Sequence, residues 1–220
     1  MKRKAVDYRK LRWDNIRSEE YSHLFLLLGW VVYLGLYILT ENLISPERCT
    51  PVHCQLDDRI PFCEWFINPY VGWYFLLAGS LVYFLLYDVK SFTKLQTYLI
   101  ITQIAAMSVY ILFPNRQDLR PDSFERNNFL TALVGCIYAI DTSTGVCPSL
   151  HVAFSIGIAS GWLRSRESAL WWKILVVIFA FLICISVSFV KQHSVIDIAA
   201  AVPVCLFAEW FVYCRKNPNQ

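Results

Sequence analysis

Charge is what this chain is short of. Asp, Glu, Lys and Arg make up 17% of its 220 residues, against about 25% in an ordinary soluble domain. A soluble globular enzyme with a hydrated surface is therefore a poor fit. Disorder is excluded from the other side, because 56% of the residues are hydrophobic and a disordered chain needs low hydrophobicity with high net charge. Glycine and proline are few, at 8 and 9, and neither a repeat nor a low-complexity segment is present. The net charge of +3 is too small to suggest nucleic acid, and no such partner is expected. The CxxC and HxxxH spacings of common zinc sites are missing, so neither a metal nor another cofactor is expected.

What the chain has instead is long apolar runs. A membrane-crossing helix needs roughly 20 mostly apolar residues. Six candidates run from about Leu24 to Ile44, Tyr70 to Tyr87, Tyr98 to Phe113, Pro148 to Leu163, Ala169 to Val190 and Val195 to Tyr213. The expected class is all-α: a polytopic membrane protein of six transmembrane helices, one domain over residues 1–220, with residues 1–23 as its N-terminal flank. The first run is too long for the core of a cleavable signal peptide and is read as retained. Two loops are long, about Ser45 to Pro69 and Pro114 to Cys147, and long loops tend to be functional. The second contains the apolar stretch Phe129 to Ile140, expected as a short re-entrant or interfacial helix.

Lys and Arg set the orientation. With the N-terminus inside, the outer segments hold Arg48, Arg59, Arg116, Arg120, Arg126 and Lys191. The remaining fourteen of the 20 basic residues, Lys2, Arg3, Lys4 and Lys216 among them, fall inside. Both termini are thus expected in the cytoplasm and both long loops outside. Cys49, Cys54, Cys63, Cys136 and Cys147 lie in those loops, where an oxidising compartment would permit a disulfide; the pairing stays open. Cys184, Cys205 and Cys214 read as apolar fillers. His23 and His53, in polar flanks, read as solvated.

The chemistry gathers at the other two histidines, His151 and His193, each at the outer end of an expected span. Ionisable groups at membrane depth are costly and point to function. Asp197 follows His193 by four residues, which on a helix places both on one face. Its carboxylate can accept a hydrogen bond from the His193 Nδ1–H and leave Nε2 free as a nucleophile. His151 follows Pro148 and Ser149 at the start of a helix, where free N–H groups favour phosphate. Arg116, Arg120 and Lys191 add positive charge, and Arg grips phosphate bidentately. Together these parts read as phosphate chemistry.

Cys147 to His151 (CPSLH) and Lys191 to Asp197 (KQHSVID) resemble motifs of the membrane-bound type-2 phosphatidic acid phosphatase superfamily, whose second motif is PSGH and whose third has the form SRxxxxxHxxxD. Arg120-Pro121 is similar to the end of its first motif, KxxxxxxRP. The motif core covers residues 114–201. The resemblance implies a six-helix bundle without a metal. It implies His193 as the nucleophile, Asp197 as its partner, His151 as the acid and base, and Arg120 with Ser149 as phosphate holders. Three positions depart: Phe113 stands where the family has Lys, Val187 where it has Arg, and Leu150 where it has Gly. Arg116 and Lys191 are the proposed substitutes for the missing cations. PSLH, KQHSVID and Leu56 to Tyr74 are also similar to the inositol phosphorylceramide synthase-like branch, which hands the head group to a lipid alcohol instead of water. The expected partners are a lipid phosphate and the bilayer. Hydrolysis is the first reading and transfer the second. A non-catalytic lipid-phosphate binder and a transporter are the alternatives of other classes.

Overall fold

The computed structural model describes residues 6–215, so Lys2, Arg3, Lys4 and Lys216 lie outside the described residues. The elements are α1 (Leu28–Leu43), α2 (Gln55–Arg59), α3 (Ile67–Tyr87), α4 (Val89–Leu112), α5 (Phe129–Ile140), α6 (Leu150–Arg164), α7 (Leu170–Phe189) and α8 (Val195–Glu209). Two-residue pieces, β1 (Thr50–Pro51) and β2 (Asn115–Arg116), pair in parallel and join the two long loops. Among the described residues the fold is otherwise all-α, as expected.

Five helical stretches, not six, have the length and hydropathy to cross a membrane: Ser22–Leu43, Glu64–Tyr87, Val89–Leu112, Leu170–Phe189 and Val195–Cys214. The expected fourth span is α6, whose 15 residues rise only about 22 Å. Its place explains its length. It lies at the centre of the bundle, packed against α3, α4, α7 and α8, with ten of its residues buried. Small residues let its neighbours come close, as they do between helices in membranes. A Cβ on Gly157 would stand 2.4 Å from Cε1 of Tyr98.

The bundle is polar in places inside and apolar outside, the reverse of a soluble protein. Val31, Leu43, Phe75 and Trp171 are exposed, whereas Gln96, Thr102 and Ser80 are buried. The buried polar groups bond across helices. Trp162 Nε1 donates to Ser80 Oγ at 2.8 Å. Gln96 holds α1 to α4, accepting from Trp30 Nε1 at 3.1 Å and donating to the Leu26 carbonyl at 3.2 Å.

Two local differences from expectation have plain causes. α4 begins at Val89, nine residues before the apolar run, because the Asp88 carboxylate caps it by accepting from the Ser91 N–H at 3.2 Å. An apolar-run criterion misses that polar first half. His23 is buried rather than solvated, with the Tyr8 hydroxyl 2.8 Å from its Nε2. α5 starts where expected, on a capping box in which Asn128 and Thr131 each accept the other's N–H at 3.0 Å.

Tyr98 is fully buried and cannot retreat from a methyl group at position 157. Gly157→Ala should cost about 1–3 kcal/mol, read as a lower thermal midpoint of the purified protein. Gly35→Ala, where an added Cβ meets nothing within 4 Å, should lower it little or not at all.

Candidate active site

Two helix N-termini make the site. α6 starts at a Ser149 cap, whose Oγ accepts from the Val152 N–H at 3.4 Å. α8 starts at a Ser194 cap, whose Oγ accepts from the Ile196 N–H at 3.1 Å. The Asp197 carboxylate closes the capping box by accepting from the Ser194 N–H at 3.0 Å. The same oxygen faces His193 Nδ1 at 3.1 Å. The expected pair therefore forms, but not along one helix face: His193 precedes the helix, and Asp197 reaches back to it as a cap. The Ser149 N–H donates to the Asp197 carbonyl at 3.1 Å, which fastens the two N-termini together. The His151 and His193 rings then stand 5.6 Å apart.

The turn before α6 is held from behind. Tyr110 donates its hydroxyl to the Pro148 carbonyl at 2.7 Å. The Asn115 amide accepts from the Val146 and Cys147 N–H groups and donates to the Cys147 carbonyl. His151 lies against the rings of Tyr70 and Trp73 at 4.6 and 4.4 Å. Both histidines line a cavity of about 390 Å³, together with aromatic residues of α1 and α3, Asp141 and Gln192.

The cations sit elsewhere. Arg116 pairs with Asp118 at 3.0 Å and donates to the carbonyls of Pro46 and Cys49. Lys191 donates to the carbonyls of Asp57 and Ile60. Neither lines the cavity; both bind the outer loops to each other. Arg120 comes nearer. It donates to the carbonyls of Tyr138, Asp141 and Thr142, and to Gln192 Oε1 at 2.6 Å. That bond turns the Gln192 amide so that its nitrogen is left over. Gln192 Nε2, Trp73 Nε1, His151 Nε2 and Arg120 Nε are buried without a hydrogen-bond partner. Such groups are costly unless something accepts from them. Ser149 is fully buried and acts as a cap.

Gln192 and Asp57 were not visible as site residues in the sequence. Gln192 sits beside His193 inside KQHSVID, and that adjacency was the only signal. Asp57, in α2, is buried and accepts from Ser194 Oγ at 2.6 Å and from the Val195 and Cys54 N–H groups at 2.8 Å each. With Lys191 it clamps the chain on both sides of His193. His53 stays exposed and pairs with Asp58 at 2.8 Å. All eight cysteines are free thiols, and no three His, Cys, Asp or Glu side chains gather as a metal site among the described residues.

Compared with protein-family models, curated proteins and solved structures, the chain matches none.

Burial opposes the Asp57 charge, but the Ser194 hydroxyl and the Val195 and Cys54 N–H groups outweigh it and hold the carboxyl below its usual range. A lowered folded-state pKa gives stability that is complete above the ordinary carboxylate range and is lost as pH falls through the lowered value. The stability gap between wild type and Asp57→Asn should therefore be open at neutral pH and narrow on acidification. Thermal midpoints of both proteins across that range measure it; a gap that is constant with pH would show that the charge of Asp57 does not matter.

Proposed function

We propose that the chain is an integral membrane enzyme that takes the phosphoryl group of a lipid phosphate onto His193 and passes it to water, as a lipid phosphatase of the superfamily its motifs resemble. Transfer to a lipid alcohol is the second reading and uses the same site. α6 serves as the sixth, central helix of the bundle, and α5 lies on the membrane interface. Both termini are cytoplasmic, and the cavity opens on the other side, where the two long loops meet.

One observation carries the reading. Two histidines stand 5.6 Å apart at a cavity, and only one of them has a carboxylate on Nδ1. Asp197 fixes the tautomer of His193 and stabilises the imidazolium that forms, which leaves the Nε2 lone pair for attack. His151 has no carboxylate partner, and its unbonded Nε2 is free to carry a proton. In the first step, His193 Nε2 bonds to phosphorus while the bond to the lipid oxygen breaks, and His151 gives its proton to that oxygen. In the second step, water or an alcohol attacks phosphorus, the P–N bond breaks, and His151 takes the acceptor's proton. Reacting atoms must come within about 3–3.5 Å, and one phosphoryl group between the two rings can touch both.

The phosphate ligands differ from those expected. Arg116 and Lys191 hold the loops, and Arg120 works through Gln192. The spare N–H groups of Gln192 and Trp73, both in the cavity lining, are the donors for phosphoryl oxygens. Preorganised neutral donors stabilise developing charge well.

Phosphate release from short-chain phosphatidic acid by the purified protein, with and without a lipid alcohol, tests the reading. His193→Ala should abolish both release and transfer. Gln192→Ala should slow turnover by more than Arg116→Ala does. The first step needs a free lone pair on His193 Nε2 and a proton on His151. His151→Gln should therefore lower the rate by about 10²–10⁴. An unchanged rate in that variant would sink the two-histidine assignment.

A further inference from the structure

We propose that the lipid handled by this site carries a quaternary ammonium head group, a phosphocholine-type phosphodiester rather than a phosphate monoester; this rests on the His193-dependent phosphoryl transfer read above and takes its second form, movement of a head group, over hydrolysis of a monoester.

The cavity lining contains no Lys or Arg and one carboxylate, Asp141. Around it stand Trp30, Tyr33, Tyr37, Trp73, Tyr74 and Tyr110. Aromatic faces attract cations through the ring quadrupole, and aromatic cages with an acidic member suit quaternary ammonium groups. Trp30, Tyr33 and Tyr37 recur at helical spacing on one face of α1, and Gln96 fixes the Trp30 ring by accepting from its Nε1 at 3.1 Å. Asp141 is held in place by the Tyr70 hydroxyl at 2.8 Å and reached by the Tyr37 hydroxyl at 3.5 Å. Arg120 does not bond to the Asp141 carboxylate; among that residue's atoms it takes only the backbone carbonyl.

A phosphate monoester brings about two negative charges at neutral pH. Beside Asp141 it meets repulsion and no cation in the lining. A phosphocholine diester brings one negative and one positive charge. Its phosphoryl oxygens find the unpartnered donors Trp73 Nε1 and Gln192 Nε2, and its trimethylammonium finds the rings and Asp141. The cavity volume of about 390 Å³ is in the usual range for small-molecule sites, about 300–1,000 Å³. Chemically, the group moved would be phosphocholine. The bond from phosphorus to the glycerol oxygen breaks, the bond to His193 Nε2 forms, and the choline ester stays intact.

The test uses the full-length His193→Ala protein in maltoside micelles, where binding is read without turnover. Calorimetric titration with dihexanoyl phosphatidylcholine should give at least about tenfold tighter binding than dihexanoyl phosphatidic acid. Asp141→Asn and, separately, Trp30→Leu should each erase most of that preference. Equal or tighter binding of phosphatidic acid would overturn the proposal, as would an unchanged preference in both variants. Wild-type turnover separates the two levels. Faster His193-dependent consumption of phosphatidic acid than of phosphatidylcholine would remove the head-group proposal and leave phosphoryl transfer standing. A clear choline preference in binding, with neither lipid consumed, would keep the cage and remove the enzyme.

Discussion

Asp197 is bonded from both ends. Its carboxylate caps α8 and faces His193, while its carbonyl takes the N–H of Ser149 at the start of α6. One buried residue thus sets the orientation of one histidine and the distance to the other. A buried charge is tolerated only when hydrogen-bonded and paired, so the fold must bring the ring and the cap to it. The packing of α6 between α4 and α8 does this, and the small residues of α6 allow it. Placed further from its neighbours, α6 would carry His151 away from His193 without altering either histidine's local sequence.

The long apolar runs made most helices legible, because a membrane demands about 20 apolar residues and little else satisfies that demand. α6 was legible as a helix but not as a short central one, since its buried face is covered by protein and needs no span-length run. The start of α4 was hidden because Lys90, Thr93, Lys94 and Gln96 are polar yet helical. His151, His193 and Asp197 were readable from local spacing, and the structure brings all three together. The cations were not. Arg116, Arg120 and Lys191 sit in loops, and a loop side chain goes to whichever carbonyls the tertiary structure offers. Those lie 67 to 134 residues away for Arg116 and Lys191, which no local pattern can convey.

Electrostatically the site depends on placement more than on net charge. Basic side chains near it are used up in joining loops, and the groups left over in the cavity lining, on Trp73 and Gln192, are neutral N–H donors. A carboxylate stands in the same cavity as the histidines. A cation-lined cleft draws any polyanion, whereas this lining holds one carboxylate and neither Lys nor Arg. The same frugality matches the composition, in which charge is scarce and aromatic residues are plentiful.

Asp57 bonds to Ser194 and Val195 across 137 and 138 positions of sequence. Synthesis proceeds at about 5–20 residues per second and N-terminal parts fold first. The first long loop therefore emerges roughly 7 to 27 seconds before its partner exists. In that interval the carboxylate stays in water, and the loop has no reason to settle over the bundle. Closure of the turn that carries His193 therefore waits until α8 has been made.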